Sequence, residues 1–478
     1  MRKTILFILL LCSFTLLGQT QIGQTIYGEN ANDLLSQVSL STDGTIMAVG
    51  TPDSNNLTGY VKVYQRNGNN WQQIGQKLEG GNPNEQFGNS LSLSADGTIL
   101  AVGSIAYSTN ILYVGKVSIY QFSGGNWTAI GQDITGSSAY EYLGASIALS
   151  DDGSILAIGA PSNSSTVPSY TVTYQYNGYS WIQMGQILYE EGISDYNGKS
   201  VALSADGTIL ASGAHYNDGG GANSGHVRIY SFNGLSWQQL GTDINGEYDY
   251  NYFGYSLSLS ADGTIAAIGA PEGGGYGYVK TFQYNGNDWQ QMGQKIEGDV
   301  FYGSFGGSVS LSHDGTFLSS GSYLGTVGGY EYVRAYHYNG SIWEQLGNDI
   351  TADTNLDRIG WCVSLSGNGS SLAVSAPRND ANGTDSGQVK VYDLTTVLAS
   401  ETFILNSFTL YPNPVENLIN INFQNDLSFV QATIYNQSGQ LIQTPQSLPV
   451  NVSDLASGTY FIEIVTHEGK EIRRFVKK

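Results

Sequence analysis

An eleven-residue phrase returns seven times at intervals of 52 to 56 residues, and no other feature restricts the fold of this chain as much. It reads LSTDGTIMAVG from Leu40, LSADGTILAVG from Leu93 and LSDDGSILAIG from Leu149. Further copies start at Leu203, Leu259 and Leu311, and a worn one, LSGNGSSLAVS, starts at Leu365. A second phrase keeps step with it: a β-branched and aromatic strand, an Asn-Gly-type turn, then Trp and Gly, as in VKVYQRNGNNWQQIGQ from Val61. Asp-Gly and Asn-Gly between apolar runs are strong hairpin signals, because type I′ turns need positive φ at both central residues.

Each period therefore predicts four strands. Phe-Gly-x-Ser-x-x-Leu-Ser is the first, the run after Asp-Gly the second, the Val/Tyr segment the third and the Trp segment the fourth. The second strand, such as Ile99–Val102, is apolar almost throughout, which implies cover on both faces. Four-stranded units stacked face to face around an axis provide that cover, so the expected fold is an all-β, seven-bladed β-propeller. The two ends of the repeat region agree. Gln21-Ile22-Gly23-Gln24 matches Gln73-Ile74-Gly75-Gln76 but lacks three preceding strands, and Val389-Lys390-Val391-Tyr392 is followed by no Trp strand. The N-terminal strand is predicted to complete the last blade and close the ring. The tight turns then share one face, and the longer links share the other, where a ligand site is expected.

Arg2 and Lys3, followed by an apolar run over Ile5–Leu17 and small Gly18, form a secretory signal peptide too short to cross a bilayer. The expected organisation is a signal peptide at 1–18, the propeller at 19–396, a linker at 397–407 and a small Ig-like β-sandwich at 408–478. No later run predicts a membrane span. Without Cys12 only Cys362 is left, so no intramolecular disulfide forms. Residues 19–402 carry 34 acids against 12 lysines and arginines, a net of −22, which argues against nucleic-acid binding.

Phe87-Gly88, Phe253-Gly254 and Phe305-Gly306, with Gly159-Ala160-Pro161 and Gly269-Ala270-Pro271, resemble the FG-GAP family of propeller modules. Calcium-binding members carry several carboxylates in the hairpin; Ser94-Ala95-Asp96-Gly97-Thr98 has one, so no metal is expected there. Leu410-Tyr411-Pro412-Asn413-Pro414, the stretch Ala432–Gly439, the stretch Leu455–Phe461 and the basic end Arg473–Lys478 together resemble a type IX secretion C-terminal sorting domain. The resemblance implies an Ig-like sandwich, recognition by the type IX secretion machinery and removal after export. The protein is thus expected to be bacterial and secreted or held at the cell surface.

No catalytic constellation stands out. His215, His226, His313, His337 and His467 lack metal-ligand spacing, and the Gly-x-Ser motif recurs from blade to blade, which marks scaffold rather than a nucleophile elbow. Cys362 reads as a small buried hydrophobe. The links into each blade are richer: Tyr140-Glu141-Tyr142, Glu190-Glu191, Asp195-Tyr196 and Glu247-Tyr248-Asp249-Tyr250-Asn251-Tyr252 pair acids with aromatics. Such flat faces rimmed by acceptors suit an extracellular glycan or protein ligand. Candidate ligand-binding residues are therefore Glu247, Tyr248, Asp249, Tyr250, Tyr252, Tyr140, Glu141 and Tyr142, with no cofactor. Asp380–Asp385 reads as a turn that could also offer oxygens to a cation. A binding or adhesion module is the expected function; a glycan-active enzyme and a purely structural surface protein are the alternatives.

Overall fold

Each Ser-x-Asp-Gly-Thr segment closes on itself through local hydrogen bonds. Ser94 Oγ donates to Asp96 Oδ1 at 2.7 Å, and Thr98 N donates to the same carboxylate at 2.9 Å. Ile99 N in turn donates to Ser94 Oγ at 2.9 Å. The same set recurs at Asp43, Asp152, Asp206, Asp262 and Asp314. In the worn copy the amide of Asn368 takes the acid's place. These turns join the first and second strands of every repeat.

The computed structural model describes residues 19–324 and 331–395, and 408–478 apart from 424–428, 437–439, 446 and 467–468. The expected signal peptide and linker lie outside the described residues. Two compact units emerge, Gln19–Leu394 and a second that starts at Thr395. Among the described residues the larger contains seven antiparallel sheets with one shared order, first to second to third to fourth strand. Phe87–Leu93, Ile99–Ser104, Lys116–Ser123 and Asn126–Ala129 illustrate it. The second strands Ile99–Ser104, Ile155–Ala160 and Ile265–Ala270 are buried at every position, as their unbroken apolarity requires. Fully burying a Leu or Ile stabilises by roughly 1.5–3 kcal/mol, and these strands supply one or more such residues per sheet.

Neighbouring sheets are stitched by repeat residues. Leu93 N donates to Ser39 Oγ, Leu149 N to Ser92 Oγ and Leu365 N to Ser310 Oγ. The Ser of Phe-Gly-x-Ser reaches forward: Ser90 Oγ donates to the Gly144 carbonyl and Ser200 Oγ to that of Gly254, each at 2.7 Å. The Gln after Ile-Gly clasps the next Trp backbone on both sides, as Gln76 does with Trp127 N and O. The Gly next to last in the second strand is there because backbones nearly touch. A Cβ on Gly269 would lie 2.0 Å from the Gly306 oxygen, and one on Gly103 2.3 Å from that of Gly144.

The ring closes on itself. Thr20 pairs with Asp393 and Gln21 with Tyr392, while Ile26 pairs with Val389, so the N-terminal segment supplies the outer strand of the seventh sheet. Leu40 N donates to Ser364 Oγ, joining the first sheet to the last. At this seam the Gly–Gly approach is replaced by serines, and Ser375 Oγ donates to the Ser36 carbonyl at 2.7 Å. This closed, propeller-like cycle puts the tight hairpins on one face and the long links on the other.

The C-terminal unit has two sheets of its own. Phe408–Tyr411, Leu418–Phe423 and Val450–Asn451 make one. Leu441–Gln443, Phe429–Asn436, Gly458–Thr466 and Gly469–Lys477 make the other, in that order. Phe408, Ile419, Ile434, Ile462 and Phe475 share its core.

Candidate functional site

The links into successive sheets share a backbone device that alternation of residue type did not reveal. Two residues with positive φ flank one buried polar residue: Tyr140 at 60° and Tyr142 at 53° around Glu141, and Tyr250 at 59° and Tyr252 at 54° around Asn251. Asn84 and Gln86 flank Glu85, Ser194 and Tyr196 flank Asp195, and Leu356 and Arg358 flank Asp357 in the same way. A non-Gly residue in the left-handed region is strained by roughly 1–2 kcal/mol, so something must hold it. The middle side chain does so. Glu85 accepts from Gly81 N and Asn82 N and pairs with Lys116 Nζ at 2.5 Å. Glu141 accepts from Ser137 N, Ser138 N and the Tyr170 hydroxyl.

This relocates one expected ligand group. Glu141 is only 2% exposed and its oxygens are taken by the loop and by Tyr170, so it is a staple of the link rather than a surface acceptor. Tyr140 and Tyr142 both pack on Tyr113, with ring centroids 5.6 Å apart in each case. They do not reach the cluster at 247–252. A sequence signal for the staple was available: an acid or amide stands two residues before the Phe-Gly pair or its equivalent in six of the seven repeats, at Asp33, Glu85, Glu141, Asp195, Asn251 and Asp357, whereas Gly303 takes that place before Phe305-Gly306.

The link 247–252 does build a concave surface. Tyr248, Asp249, Tyr250 and Tyr252 line a cleft of about 360 Å³ together with Glu272, Gly274, Gly275 and Tyr302. Tyr248 is 64% exposed and Tyr250 55%. Tyr252 is held from behind by Tyr216 at 5.1 Å. Glu247 is ion-paired with Lys280, and Asp249 Oδ1 accepts from Ala222 N at 3.0 Å, so both acids are fixed in place. Burial pushes the Glu272 carboxyl above the usual range. Exposed Phe301 and Tyr276 extend the aromatic rim, with Phe301 4.2 Å from Tyr302 and 5.3 Å from Tyr276. Glu272, Tyr276, Phe301 and Tyr302 went unnoticed in the sequence because they sit in two different links, adjacent only once the sheets are stacked.

Other groupings are accounted for by their own contacts. Glu191, His226 and Asp243 converge, but the Arg228 guanidinium binds both carboxylates. Asp380 Oδ1 accepts from Asp385 N at 2.8 Å, and the Asp380 carbonyl accepts from Gly383 N, which makes 380–385 a self-capped turn. Cys362 packs on the core beside Val38, and burial pushes its thiol up to about 11.

Residues 409–478 match the family described as the secretion system C-terminal sorting domain. The C-terminal unit is a type IX sorting domain. It marks the protein as secreted or displayed at the cell surface, and the sorting domain engages the secretion machinery. Among the described residues no helix is long and apolar enough to cross a membrane. No curated protein matches the chain. Hydrazine synthase of Kuenenia stuttgartiensis is similar in structure, with a TM-score of 0.47 and 11% identity over 76% of this chain and 95% of that one. TolB of Acinetobacter baumannii gives a TM-score of 0.38 and 14% identity over 67% of this chain and 64% of that one.

Proposed function

We propose that this protein is a non-catalytic binding or adhesion module, built on a seven-bladed β-propeller of the FG-GAP type and exported with an Ig-like sorting domain. It recognises an extracellular glycan or protein through the long-link face. The observation that supports this reading is the cleft at 247–252. There exposed Tyr248, Tyr250 and Tyr302 offer flat apolar faces, beside Asp249 and Glu272 as acceptors. A sugar would stack on the tyrosines and donate hydroxyl hydrogen bonds to the acids; a basic protein patch would rely on the acids instead. The test is a glycan and protein array probed with the secreted chain. It is followed by Tyr248→Ala with Tyr250→Ala and Tyr252→Ala, and separately by Glu247→Gln with Asp249→Asn. The tyrosine set should weaken a glycan by about tenfold or more, and the acid set a basic partner, with a steep salt dependence. A ligand unaffected by either set but lost on substitution of the tight-turn face would overturn the assignment.

A further inference from the structure

The few cations of the propeller-like unit are distributed in a way its acidity does not explain. Of the 12 lysines and arginines in residues 19–402, eight hold a carboxylate in an ion pair. Among the described residues, Arg66, Lys199, Arg358 and Arg378 have no such partner. Arg66 belongs to the tight-turn face, where it acts on Asp43. The other three gather at one place.

That place is the axis of the ring on the long-link face. A pocket of about 410 Å³ is lined by a residue from the start of every sheet, from Gln37 in the first through Lys199 and Tyr255 to Trp361 in the seventh. A recess of about 160 Å³ shares Gln37, Asn89 and Trp361 with it and adds Arg358 and Arg378. Two of the three cations rest on aromatic faces rather than on acids. Lys199 Nζ lies 4.4 Å from the Tyr255 centroid, and Arg358 Cζ lies 5.6 Å from that of Trp361, which Tyr323 meets edge-on at 5.0 Å. Of the nearby acids, Asp53 accepts from Gln86 Nε2 and Glu331 accepts from the backbone N–H groups of Arg358 and Ile359, while Asp385 acts on Arg358 through its charge without an ion-pair contact. Burial and then the neighbouring Arg378 both push the Arg358 guanidinium below its ordinary value, as two like charges held together would.

From this we infer that the axial pocket binds an anionic sugar, a uronic acid residue of a polysaccharide. Arginine forks match a carboxylate in two parallel hydrogen bonds. Trp361, Tyr255 and Tyr323 offer ring faces and edges to a pyranose, and the Gln37 and Asn89 amides offer partners to its hydroxyls. The pocket has the volume of a small-molecule site, whereas a protein partner covers about 800 Å² on each side. This site is distinct from the tyrosine cleft and stands without it.

The test is calorimetric titration of the secreted chain with oligogalacturonate, with the carboxyl-reduced neutral oligomer and with poly-glutamate. Oligogalacturonate should bind, more weakly as salt rises, and the neutral oligomer at least about tenfold more weakly. Arg358→Gln, Arg378→Gln and Lys199→Gln should each weaken binding about tenfold, while Arg66→Gln leaves it unchanged; melting curves establish that each variant folds. The inference is overturned if oligogalacturonate does not bind, if the neutral oligomer binds equally well, or if folded variants of all three cations bind as the parent does. Poly-glutamate binding as tightly as the uronate would also overturn it, in favour of an acidic protein partner.

Discussion

Removing the Glu85 carboxylate would leave the Lys116 ammonium, whose side chain is 11% exposed, without its counter-charge. Glu85→Ala should therefore cost about 3–5 kcal/mol in urea unfolding. Glu141→Ala, which strands two backbone N–H groups and the Tyr170 hydroxyl, should cost about 1–3 kcal/mol. Tyr248→Ala, on an exposed ring, should stay within about 0.5 kcal/mol of the parent. The contrast separates staple from surface inside what reads as one class of acid–tyrosine link. The Asp-Gly turns carry a pH signature as well. Partial burial alone would raise the carboxyls of Asp43, Asp96, Asp152, Asp206, Asp262 and Asp314, but hydrogen bonds from the Ser and Thr of each turn, or from two Ser at Asp152, outweigh it and hold them below the ordinary range. A depressed carboxyl stabilises above its unfolded pKa of 3.8, and that stability is lost as pH falls through the folded value. Asn368 occupies the same position with no charge to lose. Combining Asp96→Asn, Asp152→Asn and Asp206→Asn should thus lower the melting temperature near pH 7 and narrow its fall between pH 7 and pH 3, the variant approaching the parent in acid.

At the scale of strands, the N-terminal segment contributes least of its own and closes most. Deleting 19–27 removes the pairing of Thr20, Gln21, Ile26 and Tyr27 with Gln388–Asp393 and the Gln24 clasp on Trp71. It bares a strand edge and unpins both neighbouring sheets. A loss of several kcal/mol should lower the melting temperature by about 5–10 °C; an unchanged curve would speak against closure by this strand. Much of this element was legible in the sequence, because Gln21–Gln24 copies Gln73–Gln76 and a strand without its sheet must pair elsewhere. The four strands of each sheet were legible for the same reason: hairpin chemistry and apolar runs act locally, and the period repeats them. The paired positive φ values around Glu141 and Asn251 were not, since Tyr carries no sign of left-handed backbone as Gly does. The cleft was half legible. Tyr248–Tyr252 is contiguous in sequence, but Glu272 and Tyr302 join it only through sheet stacking.

For the whole molecule, charge and export are coupled through the division into two units. Residues 403–478 hold six acids and five bases, so losing them changes the net charge by one and leaves a strongly acidic body of −22. Ion exchange would barely distinguish the processed from the unprocessed chain, whereas mass would. The C-terminal unit, matched to the sorting family over 409–478, has its own core of Phe408, Ile434, Ile462 and Phe475, and the ring is completed by residues 19–27 without it. Neither core is opened when the chain is cut between them. In a host with a working type IX system, intact mass should show a secreted species beginning near Gln19 and ending near residue 400. That species should keep the melting behaviour of the larger unit, because every inter-sheet bond that closes the ring lies before Thr395. A secreted species that retains Lys478 would count against removal. A cleaved species that melts well below the larger unit's transition in the full chain would show that the ring depends on its tail.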